Sequence, residues 1–292
     1  MKFDYLTLRL IRHFMPRPAV HFLLRYNLII QPGFETREPK ERIENYRQIL
    51  ERSGRSFRSQ SILNFGYGGN FALACGLLEA GASHVTLLDK FAPPENFFNR
   101  QLLPRYEQYL TITNGKVLPR SGFIELLQAD LFDLAAQSKP PEFDIVLSSS
   151  VYEHLDQVER ITQALAALTK LDGCQIHFID LRDHYFKYPF EMLAYSESAW
   201  QKWLNPGSNL NRYRYTDYKQ AFQNHFKEVR LEVLERDLEK FERTRQQIRP
   251  EFLTGDPAID AVTLLQVYAA GPIQTQPANA PARLLTQVGE GL

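Results

Sequence analysis

The sequence predicts an α/β fold built on a doubly wound, mostly parallel sheet. Three observations carry this. Short apolar runs alternate with longer amphipathic ones between residues 61 and 180, the rhythm of strands joined by crossover helices. A glycine turn, Gly66-Tyr67-Gly68-Gly69, separates the first apolar run from the first helical one. Three apolar runs end on a carboxylate, Asp89, Asp130 and Asp180, at the edge where an open sheet presents ligand-binding groups.

The elements follow in order. Residues 61–65 read as the first strand. A helix is expected over 70–80, with Phe71, Leu73, Ala74, Leu77 and Leu78 at helical spacing and Gly81 as its stop. Residues 84–89 are the second strand and complete a βαβ nucleotide-binding half. Its glycines let backbone pass close to a ligand, and an acid about 20 residues further on suits a ribose diol. Ala92-Pro93-Pro94 forces a loop, and a helical stretch is expected over 95–110. Residues 123–130 and 143–149 are the third and fourth strands. Residues 156–169 form an amphipathic helix with Val158, Ile161, Leu165 and Leu168 toward the core. Leu171-Asp172-Gly173 is expected to turn the chain into a fifth strand over 174–180, and residues 228–235 and 262–270 are two more strands.

Flanking segments divide the chain further. Residues 1–58 are expected to form an N-terminal helical cap. Leu6, Leu8, Leu10, Ile11 and Phe14, then Phe22, Leu23 and Leu24, alternate with Arg9, Arg12, Arg17 and Arg25, giving two short helices broken at Pro16 and Pro18. A charged helix over 39–52 puts Ile43, Tyr46, Ile49 and Leu50 on one face. The basic stripe is either a solvated face or a weak contact with an anionic membrane surface. The main domain is expected over 59–271, with an aromatic-rich insertion at 181–225 that holds both tryptophans; 272–292, rich in Pro, Gln and Ala, is expected to be a disordered tail.

Composition narrows the function classes. The 292 residues are 44% hydrophobic and 12% aromatic, and Lys+Arg balances Asp+Glu at 34 each. That balance argues against broad nucleic-acid binding. Cys75 and Cys174 lie in apolar stretches, so neither a disulfide framework nor a cysteine-rich metal site is expected, and cytoplasmic residence fits. No run is long and apolar enough for a membrane span, and the charges among the first residues do not suit a signal peptide.

The order of parts resembles the class I S-adenosylmethionine-dependent methyltransferases over roughly residues 60–180 and the last two strands. The family's glycine motif, an acid and an apolar residue before G-x-G-x-G, is matched by Asn64-Phe65-Gly66-Tyr67-Gly68-Gly69-Asn70, with Asn64 in place of the acid and Asn70 in place of the third glycine. Asp89 matches the ribose-binding acid. Asp130 matches the acid near the adenine amino group, with Leu131 supplying a backbone contact. Leu171-Asp172-Gly173-Cys174 resembles the family's Lys-Pro-Gly-Gly turn. The resemblance implies a seven-stranded Rossmann-like methyltransferase fold, S-adenosylmethionine as cofactor, and methyl transfer to an oxygen or nitrogen of a small molecule or glycan. It places Asn64, Gly66, Tyr67 and Gly68 at the cofactor, and Glu153 and His154 beside the reacting atom.

The residues support parts of this independently. A dinucleotide fingerprint wants G-x-G-x-x-G, and Phe71 stands where its third glycine would fall. Ser149 lies at the ligand-facing end of the fourth strand. His154 is a candidate general base. Asp183 and His184 form a second candidate, a base with its orienter, and Arg182 is a candidate for an acidic substrate group. Tyr195, Trp200 and Tyr213 are candidates to stack on an acceptor. Asp180, Asp183 and His184 are compatible with a divalent metal, but none is expected. Nucleic-acid methylation is not expected either, since Ser148-Ser149-Ser150-Val151 stands where an Asn-Pro-Pro-Tyr motif would lie. Two alternatives stay open: an NAD-dependent oxidoreductase on a similar sheet, and a catalytically silent nucleoside-binding scaffold.

Overall fold

The computed structural model describes residues 3–16, 19, 39–137, 141–183, 188–205 and 210–273. The expected second helix of the cap, His184 and the tail beyond Ile273 lie outside them.

Seven strands form one sheet in the order β5-β2-β1-β6-β7-β9-β8. They are β1 (Ser61–Phe65), β2 (His84–Leu88), β5 (Ile124–Leu127), β6 (Phe143–Ser149), β7 (Thr169–Asp180), β8 (Phe226–Arg236) and β9 (Val262–Pro272). The first five in spatial order pair in parallel, and β9 runs antiparallel to both neighbours. β1 pairs Ser61–Phe65 with His84–Leu88 without a slip. Its neighbour β6 is buried at every position from Ile145 to Ser148, the continuous apolar run of a strand covered on both faces.

Helices cover the two faces. On one, α2 (Pro39–Glu51) and α3 (Ala72–Glu79) pack with the sheet into a core that includes Tyr46, Leu50, Phe71, Leu77 and Ile176. On the other, α6 (Val158–Leu168) and α7 (Tyr215–Gln223) bury Leu165, Leu168, Tyr218 and Phe222 against Val146 and Val267. All four residues expected on the inner face of α2 are buried. The remaining main helices are α1 (Phe3–Phe14), α4 (Asn96–Tyr106), α5 (Leu131–Gln137) and α8 (Leu238–Thr244). A third, smaller core joins α1 and α8 to the segment after β7 through Tyr5, Phe190, Met192, Trp200, Leu204 and Phe241. Among the described residues no helix is long and apolar enough to cross a membrane.

Three local expectations change. The helix after the proline loop stops at Tyr106, and β3 (Leu110–Thr113) and β4 (Lys116–Pro119) follow as a separate antiparallel hairpin. Its turn is Asn114-Gly115, both at positive φ, the two-residue pair that matches the twist of a hairpin. The strand expected over 123–130 is shorter, Ile124–Leu127. Leu171-Asp172-Gly173 is no free turn but a bulge inside β7, where pairing jumps from Phe143↔Thr169 to Ile145↔Cys174. A Cβ at Gly173 would lie 2.8–2.9 Å from Thr169 Cγ2, the Asp144 carbonyl and the Lys170 carbonyl, so the bulge admits only glycine without rearrangement.

Candidate functional site

The site lies at the carboxyl ends of β1, β2, β5, β6 and β7, the ligand-facing edge of such a sheet. The glycine turn begins hydrogen-bonded to its neighbour, with Gly66 N donating to the Leu88 carbonyl over 2.8 Å. Gly66 has φ +73°, and a Cβ there would sit 2.4 Å from Val151 Cγ2. The turn and the loop after β6 are therefore packed face to face. Gly68 differs: it also has positive φ, but a Cβ there would meet nothing within 4 Å. The space over Gly68 is open to a ligand.

Asn70 Oδ1 accepts from Ala72 N over 2.7 Å, an Asx turn just before α3. Sequence reasoning missed Asn99, a fully buried side chain of α4 that donates to the Gly69 carbonyl (2.8 Å) and accepts from Phe71 N (2.9 Å). It fixes the turn from the far side, and nothing in the local pattern of α4 singles it out.

Asp89 closes the opposite wall. Its Oδ1 accepts from Phe91 N and Ala92 N, both at 2.8 Å, and its Oδ2 from Gly68 N at 3.3 Å. The carboxylate is half-exposed and keeps accepting capacity beyond these bonds. Asp130 lies across the end of β5. Its Oδ1 accepts from Phe132 N and its Oδ2 from Lys90 Nζ, both at 2.8 Å. The Lys90 contact, then the Phe132 amide, hold this carboxyl below its usual range. Asn64 is buried in β1 between Leu87 and Leu147. The Tyr67 ring is buried and stacks toward Phe71 at 6.2 Å, its hydroxyl donating to the Ala92 carbonyl. Burial, then the Asp89 charge, push that phenol up to about 12. Leu131 likewise buries its side chain in the core under α5.

The third wall is the loop after β6. Ser150 has φ +54° and donates its amide to the Phe178 carbonyl over 2.9 Å. Ser149 Oγ is enclosed with no hydrogen-bond partner among the described residues. Glu153 is buried and accepts from Asp180 N at 3.3 Å, which joins the loop to the end of β7. His154 ends the same short turn, Tyr152–His154, and is half-exposed. Sequence reasoning also missed Asn211, which donates to the Tyr152 and Leu155 carbonyls at 2.6 and 2.8 Å and clamps this loop from the insertion.

Residues expected around an acceptor divide. Tyr213 and Tyr195 are half-exposed, Tyr213 edge-on to Tyr218 and Tyr195 stacked on Tyr5. Arg182 turns toward β8: two of its nitrogens hold both oxygens of Asp180 at 2.8 Å and a third holds Glu235 at 2.9 Å. Two expectations are corrected. Trp200 has no exposed surface: its indole donates to the Leu210 carbonyl over 3.1 Å and its ring packs under Arg9 and Arg212, so no acceptor can stack on it. Asp183 is fully buried, accepting from Tyr5 Oη and Arg9 Nε, both at 2.6 Å. It is fully buried in an ion pair with Arg9 and offers no surface at the edge. Among the described residues no group of three His, Cys, Asp or Glu side chains is arranged to hold a metal ion.

No protein-family model matches the sequence, and no curated protein does. Solved structures do. Phosphoethanolamine N-methyltransferase 2 of Haemonchus contortus, in complex with phosphomonomethylethanolamine and S-adenosylhomocysteine, superposes with a TM-score of 0.50 at 14% identity, over 92% of this chain and 61% of that one. Geranyl diphosphate C-methyltransferase of Streptomyces coelicolor A3(2) gives 0.46 at 12% identity, over 84% and 89%. An S-adenosylmethionine-dependent methyltransferase of Mesorhizobium loti gives 0.43 at 16%, over 76% and 96%. The likeness to the Haemonchus protein is one of fold.

Proposed function

Starting from that shared methyltransferase fold, we propose that this chain is an S-adenosylmethionine-dependent methyltransferase acting on an oxygen or nitrogen of a small molecule or glycan. One observation carries the reading. The space over Gly68, beside Asp89, combines an open backbone cradle with a half-exposed carboxylate in hydrogen-bond reach of the same glycine. A nucleoside with an amino-acid tail needs those two features side by side. The polar groups fit it: Asp89 can accept from ribose hydroxyls, Asp130 from an adenine amine, and Gly68 leaves the tail room against backbone.

When bound, S-adenosylmethionine supplies an electrophilic methyl group on a sulfonium. The chain's own contribution is alignment of the acceptor on that methyl, with water excluded. Val151 packs the loop after β6 onto the glycine turn, and Glu153 and Asn211 hold that loop in place. His154, half-exposed at the loop's end, is the group we assign to take the acceptor's proton. Tyr195 and Tyr213 remain as aromatic surfaces for the acceptor.

The test is titration calorimetry with S-adenosylmethionine and S-adenosylhomocysteine on wild type and Asp89→Ala. Micromolar binding that the variant loses supports the reading and justifies a screen of phenols, sugars and amines as acceptors. Binding of neither ligand by the folded protein overturns it.

A further inference from the structure

We propose that Lys90 is a latch on the nucleoside end of the site: its ammonium occupies the face of Asp130 that a purine amine must use, and the bridge opens when the base enters. This rests on the cofactor reading above and adds a control on it.

β2 and β5 are neighbours with Leu88 opposite Leu127. Asp89 follows β2 and continues that ladder, donating its amide to the Leu127 carbonyl. Lys90 is therefore the first side chain free to cross from the end of β2 to the end of β5. It does so, with Nζ 2.8 Å from Asp130 Oδ2. The other oxygen of Asp130 is held by Phe132 N. The ammonium also lies 5.5 Å from the centre of the Phe91 ring, which is 81% exposed. One cation thus spans the gap between the two acids assigned to ribose and base.

The exposure decides how firmly it is shut. The Lys90 side chain is 54% exposed and that of Asp130 28%. A bridge so placed is weak and screened by salt. An incoming exocyclic amine is a neutral donor and makes a weaker bond to the carboxylate than the ammonium does. Entry of the base therefore exchanges a charge-assisted bond for a neutral one, and the released ammonium regains its water. The exchange lowers affinity for any purine nucleoside that carries a donor amine, without blocking it.

The test uses S-adenosylhomocysteine, a zwitterion without net charge, and the salt response of its own tail is read in Lys90→Met and subtracted. Binding is measured on wild type, Lys90→Met, Lys90→Arg and Asp89→Ala at about 20 and 500 mM salt, where the screening length falls to a few ångströms. Lys90→Met is expected to bind about two- to fivefold tighter than wild type at low salt. Wild type and Lys90→Arg tighten as salt rises, whereas Lys90→Met does not. Equal or weaker binding by Lys90→Met, with wild type binding and Asp89→Ala failing, overturns the latch and leaves the cofactor reading intact. Binding by no variant removes both.

Discussion

Arg9 Nε donates to Asp183 Oδ2 over 2.6 Å, and neither side chain has any exposed surface. The two lie 174 positions apart. Tyr5 donates to the same oxygen, and the Arg9 guanidinium lies 4.7 Å from the centre of the Trp200 indole. The N-terminal helix thus meets the segment after β7 through a buried ion pair packed against aromatic rings. Breaking a buried ion pair by removing one member costs about 3–5 kcal/mol. Arg9→Met and Asp183→Leu are each expected to lose about that much in urea unfolding, and the double variant less than the sum. Strict additivity would show that the two side chains act independently.

His177 predicts a pH dependence. Its Nδ1 accepts from Ser148 Oγ at 2.7 Å and its Nε2 donates to Gln175 Oε1 at 2.9 Å, a tautomer set by the amide oxygen; Gln175 passes the chain on to Thr169. Burial pushes the imidazole down to about 3, so it is neutral in the fold. The unfolded chain takes up this proton below about 6.5. The contribution of His177 is thus fully present above that pH and is lost as pH falls toward 3, by about 1.4 kcal/mol per unit. His177→Gln should lower stability at pH 7 yet flatten its decline between pH 6.5 and 4.5. Parallel profiles for the two proteins would contradict this.

Two glycines of the turn separate folding from binding. Gly66→Ala meets both a positive φ and Val151, and is expected to cost about 2–5 kcal/mol. Val151→Ala should restore the steric part only. Gly68→Ala meets positive φ in open space, so its cost to folding stays near 1–2 kcal/mol while its methyl enters the cradle and weakens S-adenosylhomocysteine about tenfold. Unchanged affinity in Gly68→Ala would move the ligand away from the turn.

Gly76 offers a sign reversal. It lies inside α3, where alanine is the better helix former by about 1 kcal/mol. A Cβ there would fall 2.2 Å from Ile43 Cδ1, and the next atom of that side chain is 3.7 Å away. Gly76→Ala alone should destabilise. In an Ile43→Val background, which removes that Cδ1, the same change should stabilise. Thermal melts of the four proteins decide it; a loss in both backgrounds would mean that α2 and α3 cannot accept the methyl.

Some signals were present and went unread. Asn114-Gly115 between Leu110–Thr113 and Lys116–Pro119 is a strong hairpin signature, but residues 95–110 read as helix and the segment behind it had no pattern of its own until Tyr106 ended α4. Asn99 and Asn211 carried no such sign. Each holds main-chain atoms from a remote element, Asn99 the glycine turn and Asn211 the loop after β6, and hydrogen bonds of that kind leave no periodicity behind. Trp200 misled because an aromatic in a lid has the same local pattern whether its ring faces a ligand or a core.

What the sequence determined alone was whatever depends on near neighbours in the chain. The periods of apolar residues set strands and helices, Gly66 and Gly68 set the turn, and the strand ends put Asp89, Asp130 and Ser149 on one edge, because a parallel sheet aligns the carboxyl ends of its strands. Tertiary structure alone decided which of those groups stay available. Asp183 went to Arg9, Arg182 to Glu235 as well as to its chain neighbour Asp180, and Asp130 to Lys90, because the distances between opposite charges on separate elements are set by how those elements pack.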